Sequence, residues 1–316
     1  MSNLEISRAQ RLDQKVIEVI PELSRGFASR LIDDGKVTVN GKVQTKAGYK
    51  LREGDEVMVD YDVKQLAQIP DIDLDVLYED DDCVVIYKPV GVLSHSKGAF
   101  NPEATVATWL RSHMTKDSHV PGEGKEQPEQ KSHFLPGAMR KTVGLSPLQG
   151  ERGGIVHRLD RATSGVMICA KTPEALSWLQ KQFATRNVKK TYAAVITGKL
   201  EPEEAVIDMP IERNPKAPAT FRVGVQGKYA KTAYRTVASN DKYSLLELKP
   251  ETGRTHQLRV HLSHQHHPIV GDTLYNGEPA ERLYLHAESL EITIVAGHER
   301  KVFTAPIPPE FIKLVA

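Results

Sequence analysis

Apolar positions recur along the first 60 residues in two rhythms. Leu12, Val16, Val19 and Ile20 follow a polar start at helical spacing, which predicts an amphipathic helix over residues 8–20 that Pro21 stops. Ser24 is placed to cap a second helix carrying Phe27, Leu31 and Ile32, which ends before Gly35. The run KVTVNGKV then alternates apolar and polar residues and turns at Asn40-Gly41, a hairpin signature. Arg52 to Asp60, turning at Gly54, adds a short strand. Two helices and a small twisted sheet therefore make one unit over residues 1–60.

Residues 61–82 hold eight acidic side chains against one basic, end in Glu79-Asp80-Asp81-Asp82, and read as an acidic linker. A second unit, residues 83–316, opens with the buried strand CVVIYKP, ended by Pro89. Residues 111–152 include SHVPGEGKEQPEQKSH, which is almost free of large apolar groups, and predict a mobile surface insertion. Beyond it GVMICAKT reads as a buried strand. Thr172-Pro173 starts a helix with Leu176, Leu179, Phe183 and Ala184 on its apolar face. TYAAVITG, TAYRTVA and YSLLELK alternate as strands, a helix spans about Arg254 to His264, and LYLHA, LEITIVA and KVFTA are further strands. Strand after strand with few helices between them predicts an α+β fold, its larger domain built on a mixed, largely antiparallel sheet.

Composition narrows the class. A chain of 316 residues, 40% hydrophobic and 26% charged, has the make-up of a folded protein of one or two domains, which excludes disordered, collagen-like and coiled-coil classes. No stretch approaches the ~20 apolar residues of a membrane span, and MSNLEISRAQ has no signal-peptide core. Cys83 and Cys169 each lie inside an apolar run, as buried free thiols of a reducing compartment do, so a cytoplasmic protein is expected. The formal charge of +1 argues against a nucleic-acid partner until it is divided. Residues 151–270 hold nineteen basic and eleven acidic side chains, a net +8, against −7 in the linker. Charges act over a Debye length of about 8–10 Å, so partner choice follows the basic centre and not the total. Charge alone leaves a plain solvated surface as an equal reading.

Three segments of that basic centre hold residue types that carry chemistry. In GGIVHRLDRATSG, Asp160 stands among His157, Arg158 and Arg161 on a loop leading into a strand. A confined carboxylate there serves as nucleophile or base, with a structural ion pair as the plainer alternative. In KKTYAAVITG, Lys190 and Tyr192 share one strand face, and a tyrosine beside a cation serves as general acid or base, or simply packs. In ETGRTHQLRVHLSHQHHP the histidines at 256, 261, 264, 266 and 267 raise the question of a metal site. Ligation would want a supporting carboxylate or thiolate at matching geometry, and neither cysteine is near in sequence, so phosphate contacts are favoured and no metal is assigned.

In this order, GGIVHRLDRATSGVMICAKT, KKTYAAVITG, GRTHQLRVHL with HPIVGDTLY, and RLYLHAESLEI with the ending FTAPIPPEF resemble the RluA/RluC/RluD family of RNA pseudouridine synthases, most nearly the RluD type. His157 in the HRLD form is closer to this family than to the related RsuA group. RLDQKVIEVIPELSRGFASRLIDDGKVTVNGKV resembles the S4 RNA-binding domain, in which Arg8, Arg11, Arg25 and Arg30 would meet phosphates. The resemblance implies conversion of uridine to pseudouridine in RNA, above all 23S-type ribosomal RNA or a pre-ribosomal particle. It further implies a monomer that uses no cofactor and no membrane. Asp160 would be the catalytic aspartate, Tyr192 the tyrosine stacked on the base and engaged in proton transfer, and Arg254 the partner of Asp160. Arg158 would occupy the place of the flipped-out nucleotide, Leu285 would line the uracil pocket, and His157 and Lys190 would contact substrate. The insertion at 111–152 and Asn276, where glycine is common, depart from the family pattern. An RNA-binding module without catalysis and a histidine-cluster metalloenzyme stand as rivals.

Overall fold

The computed structural model describes residues 10–20, 23, 25–61, 71–95, 103–117 and 153–316. Arg8, Pro21, Ser24, residues 62–70 of the linker and residues 118–152 of the insertion lie outside the described residues. Helices α1 (Leu12–Val19) and α2 (Arg25–Asp33) pack through Leu12, Val16, Phe27, Leu31 and Ile32, all buried. Val19, expected on the buried face, is 47% exposed, and Ile20 beyond the helix end fills the core in its stead. Strands β1 (Val37–Val39) and β2 (Lys42–Val43) form the expected hairpin, and β3 (Val57–Val59) pairs antiparallel with β1. Inside this unit the buried Asp13 carboxylate accepts from Arg11 Nε and Arg25 Nε, each at 2.9 Å. The Arg11 hydrogen bond is the main cause that holds this carboxyl below its usual range.

Strand β4 (Val76–Glu79) corrects the linker expectation, because it pairs antiparallel with β5 (Cys83–Lys88). The acidic run between them is a turn: the Asp80 carboxylate accepts the N–H groups of Asp82 at 2.9 Å and Cys83 at 2.7 Å. Helix α3 (Val106–Asp117) occupies the first part of the stretch expected to be an insertion. Next come β6 (Ser164–Ala170) and α4 (Pro173–Ala184), the latter capped by Thr172, whose hydroxyl accepts from Ala175 N. The chain continues through β7 (Lys189–Thr197), β8 (Glu204–Asp208), β9 (Ile211–Arg213), β10 (Phe221–Val223), β11 (Lys231–Ser239) and β12 (Tyr243–Pro250). Helix α5 (Gln257–His264) starts three residues later than expected, and LYLHA and LEITIVA belong to one strand, β13 (Leu285–Thr293). Strand β14 (Arg300–Thr304) and helix α6 (Pro309–Val315) complete the chain.

Nine strands form one sheet in the order β4-β5-β6-β13-β7-β12-β11-β8, with β14 also paired to β13. Among the described strand pairs β6–β13 alone is parallel, so the sheet is mixed and largely antiparallel, as expected of this α+β chain. One core cluster, with Val195, Leu246, Leu258 and Phe311, packs α5 and α6 on the sheet. A second, with Val85, Ile168, Leu179 and Leu290, packs α4. Cys83 and Cys169 are buried free thiols, and burial pushes the Cys169 thiol up to about 12, which keeps it unreactive at neutral pH.

Candidate active site

The parallel pairing of β6 with β13 decides where chemistry gathers. Residues entering both strands, the loop 153–163 and Leu285, emerge at the same end of the sheet's central strands, and antiparallel β7 carries Lys190 and Tyr192 alongside them. A bulge in β13 between Ala287 and Ser289 lies opposite Tyr192, a device that re-aims side chains beside functional sites. The close pairing depends on Gly165, where φ is +121° and a Cβ would lie 2.1 Å from the Ala287 carbonyl oxygen.

Asp160 is held through its neighbours' backbone. Ser94 accepts the Leu159 N–H at 3.1 Å and donates to the Leu159 carbonyl at 2.8 Å. On the other side Gly91 N donates to the Arg161 carbonyl at 2.8 Å. Lys88, with 0% exposure, donates from Nζ to the carbonyls of Pro89 at 2.8 Å and Val92 at 2.9 Å and reaches the Arg161 carbonyl at 3.4 Å. Burial lowers the Lys88 ammonium to about 7 against the opposing pull of Asp160. Below, the Ser164 hydroxyl is 2.8 Å from His286 Nδ1, whose Nε2 faces the Ala305 carbonyl, and Arg282 joins Ser164 to Glu310. Sequence reasoning missed Lys88, Ser94 and His286. The one signal available was a lysine and a histidine inside otherwise apolar strand runs.

These elements enclose a pocket of about 120 Å³ lined by Arg158, Asp160, Lys190, Tyr192, Arg254 and Leu285, with His256 and Arg259. Six of the expected catalytic and substrate-binding residues therefore converge. One expected contact is placed differently. Arg254 does not pair with Asp160: its Nε donates to the Tyr229 carbonyl at 2.9 Å. The side-chain nitrogens that approach Asp160 among the described residues are Arg259 Nη1 at 3.6 Å and His256 Nε2 at 3.8 Å from Oδ2. With α5 beginning at Gln257, Arg259 turns inward and grips the buried Asp272 through two bonds of 2.7 Å. His157 accepts the Ile168 N–H at Nε2 (3.1 Å) and stacks on Phe183, while its half-buried ring lines the wider cavity beside the pocket. Burial lowers the His157 ring to about 3, which keeps it neutral and able to accept.

Gln257 orders the opposite wall. Its Oε1 accepts from the Thr252 hydroxyl at 2.6 Å and Arg254 N at 3.0 Å, and its Nε2 donates to the Lys231 carbonyl at 3.0 Å. A wider cavity of about 410 Å³ adjoins the pocket and carries Arg158, Arg186, Lys190 and Arg254. Burial, with Arg186 nearby, lowers the Lys190 ammonium to about 8, while burial and Asp160 raise the Tyr192 phenol, which stays protonated. Among the described residues no group of three or more His, Cys, Asp or Glu converges in a way that could hold a metal, and His256, His261 and His267 hydrogen-bond to Tyr275, to Thr232 and Met209, and to Thr197 respectively. Of the expected phosphate-binding arginines of the first unit, Arg8 lies outside the described residues, Arg11 and Arg25 pair with Asp13, and Arg30 lies 3.8 Å from Glu103, all three with exposed side chains.

Residues 82–264 match the family model described as RNA pseudouridylate synthase. The chain belongs to that family. It is an RNA pseudouridine synthase with an S4 domain in front, matched over residues 10–57. Among its relatives are proteins named ribosomal large subunit pseudouridine synthase D. That of Escherichia coli (strain K12) is 33% identical, the match covering 97% of this chain and 90% of the relative. That of Yersinia pestis is 36% identical, over 95% of this chain and 83% of the relative. The solved structure of human RNA pseudouridylate synthase domain containing 1 superposes with a TM-score of 0.55 at 27% identity, covering 76% of this chain and 86% of that one. Among the described residues no helix is long and apolar enough to cross a membrane.

Proposed function

We propose that this synthase converts specific uridines of large-subunit ribosomal RNA to pseudouridine, with Asp160 as the reacting carboxylate. The observation that carries the reading is the convergence of Asp160, Tyr192, Arg158 and Leu285 on one small pocket in a chain of this family. The named function of its synthase D relatives supplies the substrate class. The enzyme acts as a cytoplasmic monomer on 23S-type RNA or a pre-ribosomal particle.

The reaction breaks N1–C1′, turns the uracil and joins C5 to C1′. C5 loses a proton and N1 gains one, with no net oxidation or hydrolysis, so the isomerisation requires no cofactor. A pocket of about 120 Å³ admits a base and not a duplex, so the uridine must leave its stack, at a cost of a few kcal/mol offset by pocket contacts. Exposed Arg158 at the mouth fills the vacated space, Tyr192 and Leu285 sandwich the base, and the protonated Tyr192 hydroxyl serves proton transfer. Arg259 stabilises charge on Asp160 during the reaction. Lys190 and Arg254, at the border of the wider cavity, meet the RNA backbone.

The test is Asp160→Asn enzyme incubated with ribosomal RNA lacking the modification, followed by pseudouridine mapping. Product should vanish while RNA binding persists, because phosphate contacts come from Lys and Arg elsewhere. Product at the wild-type level would remove Asp160 from the chemistry. Absence of pseudouridine from wild-type reactions on every RNA tried would restore the reading of a binding module.

A further inference from the structure

His256 stands just before α5 with φ +55° and ψ +21°, left-handed backbone that is uncommon outside glycine, although histidine enters it more readily than most side chains. Such strain persists where the surroundings over-determine it, and it clusters at functional sites. The surroundings here are specific. The Tyr275 hydroxyl accepts the Phe221 N–H at 3.0 Å, so its own proton is directed to His256 Nδ1, 2.7 Å away. That bond selects one tautomer: Nδ1 accepts and Nε2 carries the hydrogen. The rings of Phe221 and Tyr275 stand edge-on to the imidazole at 5.8 Å and 5.5 Å. Burial, the main cause, lowers the ring below the usual histidine range and so favours its neutral form, although Asp160 pulls the other way.

The Nε2–H so fixed faces Asp160 Oδ2 at 3.8 Å, the oxygen that Arg259 Nη1 also approaches, at 3.6 Å. Hydrogen bonds of unliganded active sites are commonly this long and tighten when substrate binds. Arg259 brings charge, but its Nε and Nη2 are committed to Asp272. A second, independently anchored donor on the same oxygen defines the rotation of the carboxylate. We infer that His256 is a positioning residue for Asp160: locked by Tyr275 in one tautomer, it holds Oδ2 with Arg259 and leaves Oδ1 turned to the reacting uridine. The inference rests on the reading that Asp160 is the reacting carboxylate.

Steady-state kinetics on an unmodified ribosomal RNA fragment, with thermal midpoints, test it on four full-length variants: Asp160→Asn, His256→Gly, His256→Gln and Tyr275→Phe. Glycine removes the imidazole and is at home at φ +55°, so His256→Gly should keep its thermal midpoint. Its kcat should nevertheless fall at least about tenfold with KM within about threefold, the signature of an interaction used in the transition state. Glutamine bears the same backbone strain and places an amide N–H near the position of Nε2–H. His256→Gln should therefore recover kcat by several-fold over the glycine variant. Tyr275→Phe leaves Nδ1 without its donor and should lose kcat by several-fold. Wild-type kcat in His256→Gly overturns the inference, as does an equal loss in the glycine and glutamine variants, or a change confined to KM. Failure of His256→Gly to fold would leave the glutamine and Tyr275→Phe comparison to decide. Full activity in Asp160→Asn would instead overturn the reading beneath the inference, whereas an inactive Asp160→Asn beside a fully active His256→Gly would sink the inference alone.

Discussion

Arg254 and Arg259 share one motif, GRTHQLR, and the sequence offers no direct way to tell which of them meets Asp160. The family resemblance points to Arg254. With α5 beginning at Gln257, Arg259 falls among Leu258, Val260 and Leu262 on the buried side. An arginine set in an apolar run needs a carboxylate, and Asp272, thirteen residues on, supplies it. That was the legible clue. Removing Arg259 leaves Asp272, with a side chain 1% exposed, as an unpaired buried charge, a loss of about 3–5 kcal/mol. Arg259→Ala should therefore lower the thermal midpoint by roughly 10 °C and abolish product. Arg254→Ala should leave the midpoint within about 2 °C, as half-exposed positions do, and raise KM for RNA while flattening its salt dependence by about one charge. Differential scanning calorimetry with kinetics at two ionic strengths separates the two. Loss of product in Arg254→Ala with unaltered RNA binding would give the Asp160 partnership back to Arg254.

At the scale of elements, what was legible was local and what was missed was not. CVVIYK, SGVMICA and KKTYAAVIT announce themselves as β5, β6 and β7 because apolar β-branched runs end in polar turns. Strands β8, β9 and β10 are short, with exposed or half-buried positions that break the alternation, so periodicity alone does not reveal them. Strand β4 was hidden by its acidic neighbours, since a charge run suggests solvent and not an edge hairpin. The parallel β6–β13 pair joins residues more than a hundred positions apart, as the Ser164–His286 bond does across 122, and no local pattern encodes it. Yet this pair brings the Asp160 loop and Leu285 to the same end of the central strands. Gly165 is where it is most vulnerable. A Cβ there would meet the Ala287 carbonyl oxygen and nitrogen at 2.1 Å and 2.6 Å in a backbone conformation of φ +121°. Gly165→Ala should cost about 3 kcal/mol from overpacking and backbone strain together. It should also reduce kcat well beyond what the stability loss explains, because the shift falls on strands that aim the site. A midpoint drop with kcat unchanged at a permissive temperature would separate the pairing from the chemistry.

For the whole molecule, the formal charge of +1 conceals a division between a basic centre at +8 over residues 151–270 and acidic stretches at −7 over residues 61–82 and −3 beyond residue 270. The S4 domain contributes no net charge, and its arginines at 11, 25 and 30, though ion-paired, keep 45%, 58% and 57% of their side chains exposed. Exposed Lys42, Lys46 and Lys50 beside the β1–β2 hairpin add further cations to that surface. The domain's core, from Leu12 to Leu51 with Tyr61 against it, is internal to it, while the clusters around the sheet draw on residues 72–315. Deleting residues 1–61 should therefore leave a cooperatively folding catalytic domain, with kcat on a short RNA fragment within about threefold of the full chain. KM for long ribosomal RNA should rise by about tenfold or more, and the slope of log KM against log salt should flatten by about 0.9 for each phosphate that the S4 domain no longer neutralises. Circular dichroism melts and kinetics from 50 to 200 mM salt read all three quantities. A truncated chain that no longer melts cooperatively would put the boundary elsewhere. An unchanged KM and salt slope would mean that the basic cleft alone selects the RNA, and the S4 domain would then have no part in substrate capture.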